Sequence, residues 1–389
     1  MIKLVLGWVI VLFIPFLYSF TQIDLGLTLT RASWWQVIQK SFQQIGYFQR
    51  PLSTGCYLAI LILLFSFYFI ILNQVKKGRL AGSKIWLLVW LTAGILWLAY
   101  NAFSYDLFNY LMDARMITFY GKNPYHYRAM DFVGDPMLGF MHWTHRLYPY
   151  GPLWLAVTVP LSFLGWQKLV PTMILFKGLA IAGFLVACWA IEKILSKINP
   201  QKKWFGLALF AFSPLVMIEG LVSAHNDLLM MGLALAAFYF LREKRYLPAW
   251  LLLLFSVGIK FVTASFLPVF AWVTWQQRQK KTINWEKIML ICLGLMVMAV
   301  LAAIRRDELK PWYLLYPLSF LPFLADKKWL FWPLTGLSLG ALLHYAPFLY
   351  LGNWNPPVPE IKLKLTIIFL LVGVMVYWCD KIVKIKPTK

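Results

Sequence analysis

Runs of about 18 to 20 apolar residues recur along this chain, and that is the length at which an α-helix spans the hydrocarbon core of a bilayer. Candidate spans fall at 2–20, 54–73, 85–103, 168–190, 204–221, 226–241, 246–260, 261–275, 287–304, 312–325, 329–350 and 361–380. Composition agrees with this reading: of 389 residues, 61% are hydrophobic and 13% charged, against roughly 45–50% and 25% in globular domains. A cytosolic enzyme, a secreted disulfide scaffold and a disordered regulator are thereby excluded. The 20 Trp residues exceed what a soluble core uses, and Trp and Tyr concentrate where helices cross the headgroup region. The expected fold is an all-α polytopic transmembrane bundle of about twelve spans.

The formal charge is +22, which in a soluble chain would point to nucleic acid. Cytoplasmic loops of membrane proteins collect Lys and Arg, so no nucleic-acid partner is expected here. With the N-terminus inside, the even-numbered linkers carry Lys76, Lys77, Arg79 and Lys84; Lys193, Lys197, Lys202 and Lys203; Arg242, Lys244 and Arg245; Arg278, Lys280, Lys281 and Lys287; and Lys327 and Lys328. The C-terminal group is Lys381, Lys384, Lys386 and Lys389. Each even linker is therefore basic. Cys56, Cys188, Cys292 and Cys379 lie inside apolar runs with no CxxC spacing, which favours packing over disulfides or metal binding.

This alternation holds if Pro152 to Gly165 lies in the outer interface instead of crossing, and its length is short for a span. The stretch 32–48 reads the same way, with Trp35, Ile38, Phe42 and Ile45 on one helical face. Residues 104–167 then form one external loop with juxtamembrane helices, within a single transmembrane domain over 1–389. The first apolar run lacks a small-x-small cleavage site and is read as a retained span. No internal repeat, Gly-rich phosphate loop or HExxH sequence occurs.

Ionisable groups are costly near a membrane, so their positions are informative. In this topology the acids cluster outside: Asp106, Asp113, Asp131, Asp135, Glu219, Asp227, Asp307, Glu308 and Glu360. After the third span comes Ser104-Tyr-Asp-Leu-Phe-Asn-Tyr-Leu-Met-Asp-Ala-Arg-Met. Asp106, Tyr110 and Asp113 are spaced i, i+4, i+7, which on a helix places two carboxylates and a phenol on one face. A desolvated carboxylate there suits a general base; a solvated helix face is the competing reading. The His225-Asn226-Asp227 tripeptide offers polar groups for a sugar, or else a helix cap. Lys260, Arg305 and Arg306 sit at external ends of spans, against the positive-inside bias. They call either for an anionic phosphate or for pairing with Asp307, Glu308 or Glu219, and Arg115, Arg128 and Arg146 could act similarly. Trp312 and Tyr313 offer stacking surface or serve as belt anchors.

Taken in order, these pieces resemble the GT-C superfamily of integral-membrane glycosyltransferases, in its bacterial mannosyltransferase-like branch that uses polyprenyl-phosphate sugars. The similar pattern comprises Ser104 to Arg115, Gly121 to Tyr125, the Tyr-Pro-rich stretch Tyr148 to Pro152, His225 to Asp227, Lys260, and Pro311 to Tyr313. The resemblance implies transfer of a hexose, mannose foremost, from a polyprenyl-phosphate donor to a lipid or glycan acceptor with inversion. It implies Asp106 as base, with Asp113 as the alternative, and Lys260, Arg305, Arg306 and Arg115 around the donor phosphate. Tyr110, His225, Asn226, Asp227, Tyr148, Trp312 and Tyr313 would line the sugar sites. The long loop has no Asp-x-Asp motif, so a metal-independent reaction is expected, because Mg or Mn needs several convergent oxygen ligands. The implied location is the plasma membrane of a prokaryote, amid its lipids, with the site facing outward. A polytopic transporter or lipid-linked sugar flippase is the rival; it predicts ionisable residues at mid-membrane, where Lys177 is the main exception to an otherwise apolar interior.

Overall fold

A computed structural model describes residues 2–385, with side chains described to residue 382. Lys386 and Lys389, and the side chain of Lys384, lie outside the described residues. The chain runs through α1 (Ile2–Ser19), α2 (Ser33–Gln43), α3 (Arg50–Lys76), α4 (Ser83–Trp97), α5 (Asp106–Thr118), α6 (Pro152–Leu164), α7 (Leu169–Ile198) and α8 (Lys203–Ala211). It continues through α9 (Asp227–Arg242), α10 (Tyr246–Ile259), α11 (Leu267–Arg278), α12 (Trp285–Ile304), α13 (Leu315–Leu318), α14 (Lys328–Leu342), α15 (Tyr345–Leu351) and α16 (Val358–Ile385). Among the described residues there is no strand. The fold is a polytopic helical bundle.

Six helical segments are long and apolar enough to cross a membrane: Ile2–Gln22, Arg50–Lys76, Leu169–Ile198, Trp285–Ile304, Lys328–Leu351 and Val358–Ile382. A seventh arises if the pair Pro200–Ala211 and Val216–Val222, bent by 60°, counts as one broken span. The other expected spans are helical but short or interrupted, and proline is a recurring reason. Proline lacks the N–H that continues a helix and clashes with the preceding turn. Pro214 lies in the break of the bent pair. The expected span 312–325 resolves into three short turns, Pro311–Leu314, Leu315–Leu318 and Leu321–Leu324, each containing a proline. Span 261–275 opens as a 3₁₀ turn, Phe261–Phe266, and becomes α-helical at α11, with Pro268 in its first turn. The two stretches expected to lie along the interface are α2 and α6.

The centre of the bundle is the contact of α7 with α9. A Cβ on Gly183 would lie 2.4 Å from Leu229 Cα, and one on Gly232 would lie 2.4 Å from the Gly183 carbonyl oxygen. The two backbones therefore touch, as small residues allow between membrane helices. At the periphery α16 leaves Leu363, Leu371 and Met375 exposed, a surface matched to lipid tails, which are as apolar as leucine. All four cysteines are free.

Two joints fix the 104–167 segment to this frame. Ser223 Oγ donates to the Ala102 carbonyl at 2.8 Å, tying the turn before α9 to the approach to α5. Gly151 N–H donates to the Ile259 carbonyl at 3.0 Å, and a Cβ on Gly151 would stand 2.2 Å from the Gly258 carbonyl oxygen. The start of α6 thus rests directly on the end of α10, one residue before Lys260.

Candidate active site

Asp106 opens α5, where the N-terminal end of the helix favours negative charge. Its N–H donates to Ser104 Oγ at 3.3 Å. The preceding Phe103 has φ 72°, a left-handed conformation that non-glycine residues adopt at a cost and that clusters at functional sites. A second such residue, Ala224 with φ 52°, sits immediately before His225.

These two strained turns bring Asp106 and His225 together. His225 is fully buried; its Nδ1 lies 3.4 Å from Asp106 Oδ2 and its Nε2 lies 3.4 Å from Glu219 Oε2. Trp312 stacks on the imidazole, with ring centroids 4.2 Å apart and planes at 21°. Burial alone would lower the His225 pKa, but the carboxylates of Asp106 and Glu219 overcome it and raise it to about 9. Burial pushes Asp106 the other way; His225, Lys260 and Lys310 outweigh it and hold the carboxyl below its ordinary value. Asp113, two turns along α5, has burial and the Asp106 charge acting together, and it is held well above the ordinary carboxylate value.

Beside this group, Asp227 accepts from Lys260 Nζ at 2.7 Å and from the Tyr316 hydroxyl at 2.5 Å. Lys260 remains partly exposed while Asp227 is sealed. Lys177 is buried in α7 and donates to the Leu221 and Val222 carbonyls at 2.8 Å each. The ammonium thereby satisfies the end of the π-helical turn Val216–Val222 and supports the His225 turn.

Two cavities meet at Asp106. The first, of about 190 Å³, has Asp106, Asp113, Asp307, Arg146, Lys260 and Lys310 in its wall, along with Tyr150, Trp312 and Tyr313. The second, of about 230 Å³, is more aromatic, with Trp143, Trp312, Trp354 and Tyr345 around it and Lys362 and Glu308 at its edge. Asp106, Trp143, Lys310 and Trp312 border both. Lys310 contacts Asp307 at 3.4 Å and Glu308 at 2.7 Å, and Glu308 also pairs with Lys362. Arg146 lies over the Trp143 ring at 4.2 Å, and among the described residues it makes no ion pair. Together the walls offer a carboxylate, cations for an anion, and flat rings for a sugar face.

Of the residues singled out in the sequence, Asp106, Asp113, Lys260, Trp312 and Tyr313 line the first cavity. His225 and Asp227 stand behind that wall, bonded to members of it. Tyr110 is buried edge-on against Tyr150 and Trp154, and Tyr148 donates to the Gly151 carbonyl at 3.1 Å. Asn226 is buried, makes no side-chain cap bond to α9, and lines neither cavity. Arg115 is turned away: it pairs with Asp135 at 2.7 Å and donates to the Gln167 carbonyl at 2.9 Å. Arg305 and Arg306 are exposed at the end of α12 and line neither cavity. Lys310, Asn109, Trp143, Trp354 and Lys362 are lining residues that sequence reasoning passed over. Lys310 could have been noticed as the cation immediately preceding Pro311-Trp312-Tyr313.

Among the described residues, no three His, Cys, Asp or Glu side chains are grouped so as to hold a metal ion. Comparison with known proteins places this chain in a family. Residues 9–276 match the family described as alpha-(1->6)-mannopyranosyltransferase, N-terminal domain. Over 174 residues the chain is 29% identical to alpha-(1->6)-mannopyranosyltransferase A of Corynebacterium glutamicum, a match covering 44% of this chain and 34% of that protein. Over 192 residues it is 26% identical to alpha-(1->6)-mannopyranosyltransferase A of Mycobacterium tuberculosis, covering 48% of this chain and 35% of that protein. The chain thus spans about a third of the length of these relatives in the matched regions. No solved structure matches it. Asp106, Asp113, Glu219, His225, Asp227 and Lys260 all fall within the matched residues, which make up more than half of the sequence, and the chain belongs to the alpha-(1->6)-mannopyranosyltransferase N-terminal-domain family.

Proposed function

We propose that the protein transfers a hexose, mannose foremost, from a polyprenyl-phosphate donor to a hydroxyl of a lipid or glycan acceptor, inverting the anomeric carbon, with Asp106 as base. The observation that carries this reading is that, among the described residues, Asp106 is the one carboxylate bordering both a cavity with Arg146, Lys260 and Lys310 in its wall and a more aromatic one. The donor phosphate takes the first cavity, where Arg146, Lys260 and Lys310 meet its charge. The acceptor ring takes the second, against Trp312 and Trp354.

In the reaction, the acceptor oxygen forms a bond to the anomeric carbon as the bond from that carbon to the phosphate oxygen breaks. The acceptor proton passes to Asp106 and the electron pair leaves with the phosphate. An ionised carboxylate with a lowered pKa is a weak base, so proton transfer is late, after the forming C–O bond has acidified the hydroxyl. The lysines and Arg146 stabilise the developing phosphate charge. On this reading the protein's own cations do what a divalent ion would otherwise do. The basic linkers support both cavities opening outward, and the bacterial relatives support a prokaryotic plasma membrane.

The test is sugar transfer by purified protein in liposomes, with polyprenyl-phosphate mannose and a membrane-lipid extract, comparing the wild type with Asp106→Asn. Loss of transfer with retained donor binding supports the reading. Movement of lipid-linked sugar across the bilayer without transfer would replace it with a flippase.

A further inference from the structure

We infer that Glu219 is a positioning residue for this reaction: it holds a charged His225 ring against Asp106, so that Asp106 stays ionised and presents one oxygen to the acceptor. The inference rests on Asp106 as base, and it adds a buried carboxylate that lies within an apolar run of the sequence.

The geometry begins with Glu219. It is fully buried, and neither of its oxygens has a hydrogen-bond partner meeting strict geometry. A buried carboxylate in that condition is unfavourable unless a cation stands beside it. Among the described residues, the one cationic group within ion-pair distance is His225, whose Nε2 faces Oε2 at 3.4 Å. The opposite ring nitrogen faces Asp106 at the same distance. A neutral imidazole has a single N–H and could serve only one of two flanking carboxylates; the imidazolium serves both. The Trp312 face against the ring adds a cation–π contact.

The surroundings fix this arrangement. Glu219 sits in the π-helical turn Val216–Val222, a distortion found mostly at functional sites. Lys177 pins the end of that turn through two carbonyls. The groups facing the pair are Asp106 from α5, Asp227 from α9 with its partners Lys260 and Tyr316, Lys310 from the segment after α12, and the phenols of Tyr57 and Tyr345 toward Glu219. With Asp227 already neutralised by Lys260, the His225 charge belongs to Asp106 and Glu219. No proton leaves His225 during transfer; the acceptor proton goes to Asp106 and then to the cavity.

The consequence is an alkaline limit to activity, set where His225 loses its proton at about 9. Glu219→Gln keeps the shape and removes one of the two charges. We expect the alkaline limb of kcat to move down by about 1 pH unit or more. Transfer at pH 8.5 then falls at least about fourfold relative to pH 6.5, while KM for donor and acceptor stays within about twofold. An unmoved limb, or an equal loss at every pH, overturns the inference. A second measurement needs no turnover: ¹⁵N-histidine NMR of the full chain in nanodiscs, with His225 assigned among the five histidines by His225→Asn. Wild-type His225 should keep imidazolium shifts through pH 8 and titrate lower in Glu219→Gln. Neutral His225 at pH 7 in the wild type sinks the inference whatever the activity; imidazolium shifts in a protein that transfers no sugar sink the Asp106 reading and leave the clamp standing.

Discussion

Asp106 and Asp113 face one cavity from the same helix, and their surroundings push their pKa values in opposite directions. His225, Lys260 and Lys310 outweigh burial and lower the pKa of the first, whereas burial and the charge of the first raise that of the second.

An amide reproduces the neutral form toward which its surroundings push Asp113. Asp113→Asn should therefore keep transfer at pH 7 within about threefold of the wild type, whereas Asp106→Asn should lose roughly 10²- to 10⁴-fold in kcat. Steady-state rates of both variants check this, and equal losses would make Asp113 a second essential acid.

Asp113 also makes stability depend on pH. Its folded-state pKa lies above the unfolded value, so its contribution is complete at pH below the ordinary carboxylate range and is lost as pH rises through the raised value. Asp113→Asn removes that loss. Thermal unfolding in detergent should show a Tm gain over the wild type that is larger at pH 8 than at pH 4.

Arg146 is the guanidinium of the first cavity without an ion pair among the described residues. Arg146→Ala should raise donor KM by roughly 10- to 100-fold, and Arg146→Lys should restore only part of that, because a lysine lacks the bidentate fork. Arg305→Ala and Arg306→Ala, at exposed positions off both cavities, should leave KM and kcat within about twofold.

Trp354 borders the second cavity and stacks on Phe348 at 4.3 Å. Trp354→Ala should raise acceptor KM by roughly 3- to 10-fold with donor KM unchanged, the amount expected for one lost ring face. A donor effect of equal size would reverse the assignment of the two cavities.

Arg115 is predicted to matter for folding. Its partner Asp135 has a fully buried side chain that also accepts from the Tyr120 hydroxyl and the Met137 N–H. Arg115→Ala leaves that carboxylate buried without its cation, at a cost of roughly 3 kcal/mol. Denaturation should report the loss, while transfer per folded molecule is retained.

The spans were legible because their length and apolarity are set by the bilayer, and the site's outline was legible because Asp106, His225 and Lys260 are polar exceptions in apolar surroundings. The breaks were written in Pro214, Pro311, Pro317 and Pro322, but hydropathy averages over them. Arg115 entered the expected site as a cation of the external loop and as the end of the Ser104 to Arg115 pattern. It stands two positions after Asp113, more than half a turn along the helix, so the two side chains point apart. Glu219 looked like one of several outer acids, since nothing local announces that a π-helical turn and a strained Ala224 would carry it to the far side of His225. Trp354 and Lys362 reach the second cavity from α16 and its approach, far along the chain from α5.

The shared partition at Asp106 bears on fidelity. A carboxylate that activates whatever hydroxyl stands in the second cavity cannot tell a sugar from a water molecule by chemistry alone. On the proposed mechanism, a water molecule in that cavity would meet the base and the leaving-group cations and could hydrolyse the donor. On that mechanism, an acceptor that fills the aromatic cavity before the donor engages would exclude water, so the order of arrival would decide how much donor is lost to hydrolysis.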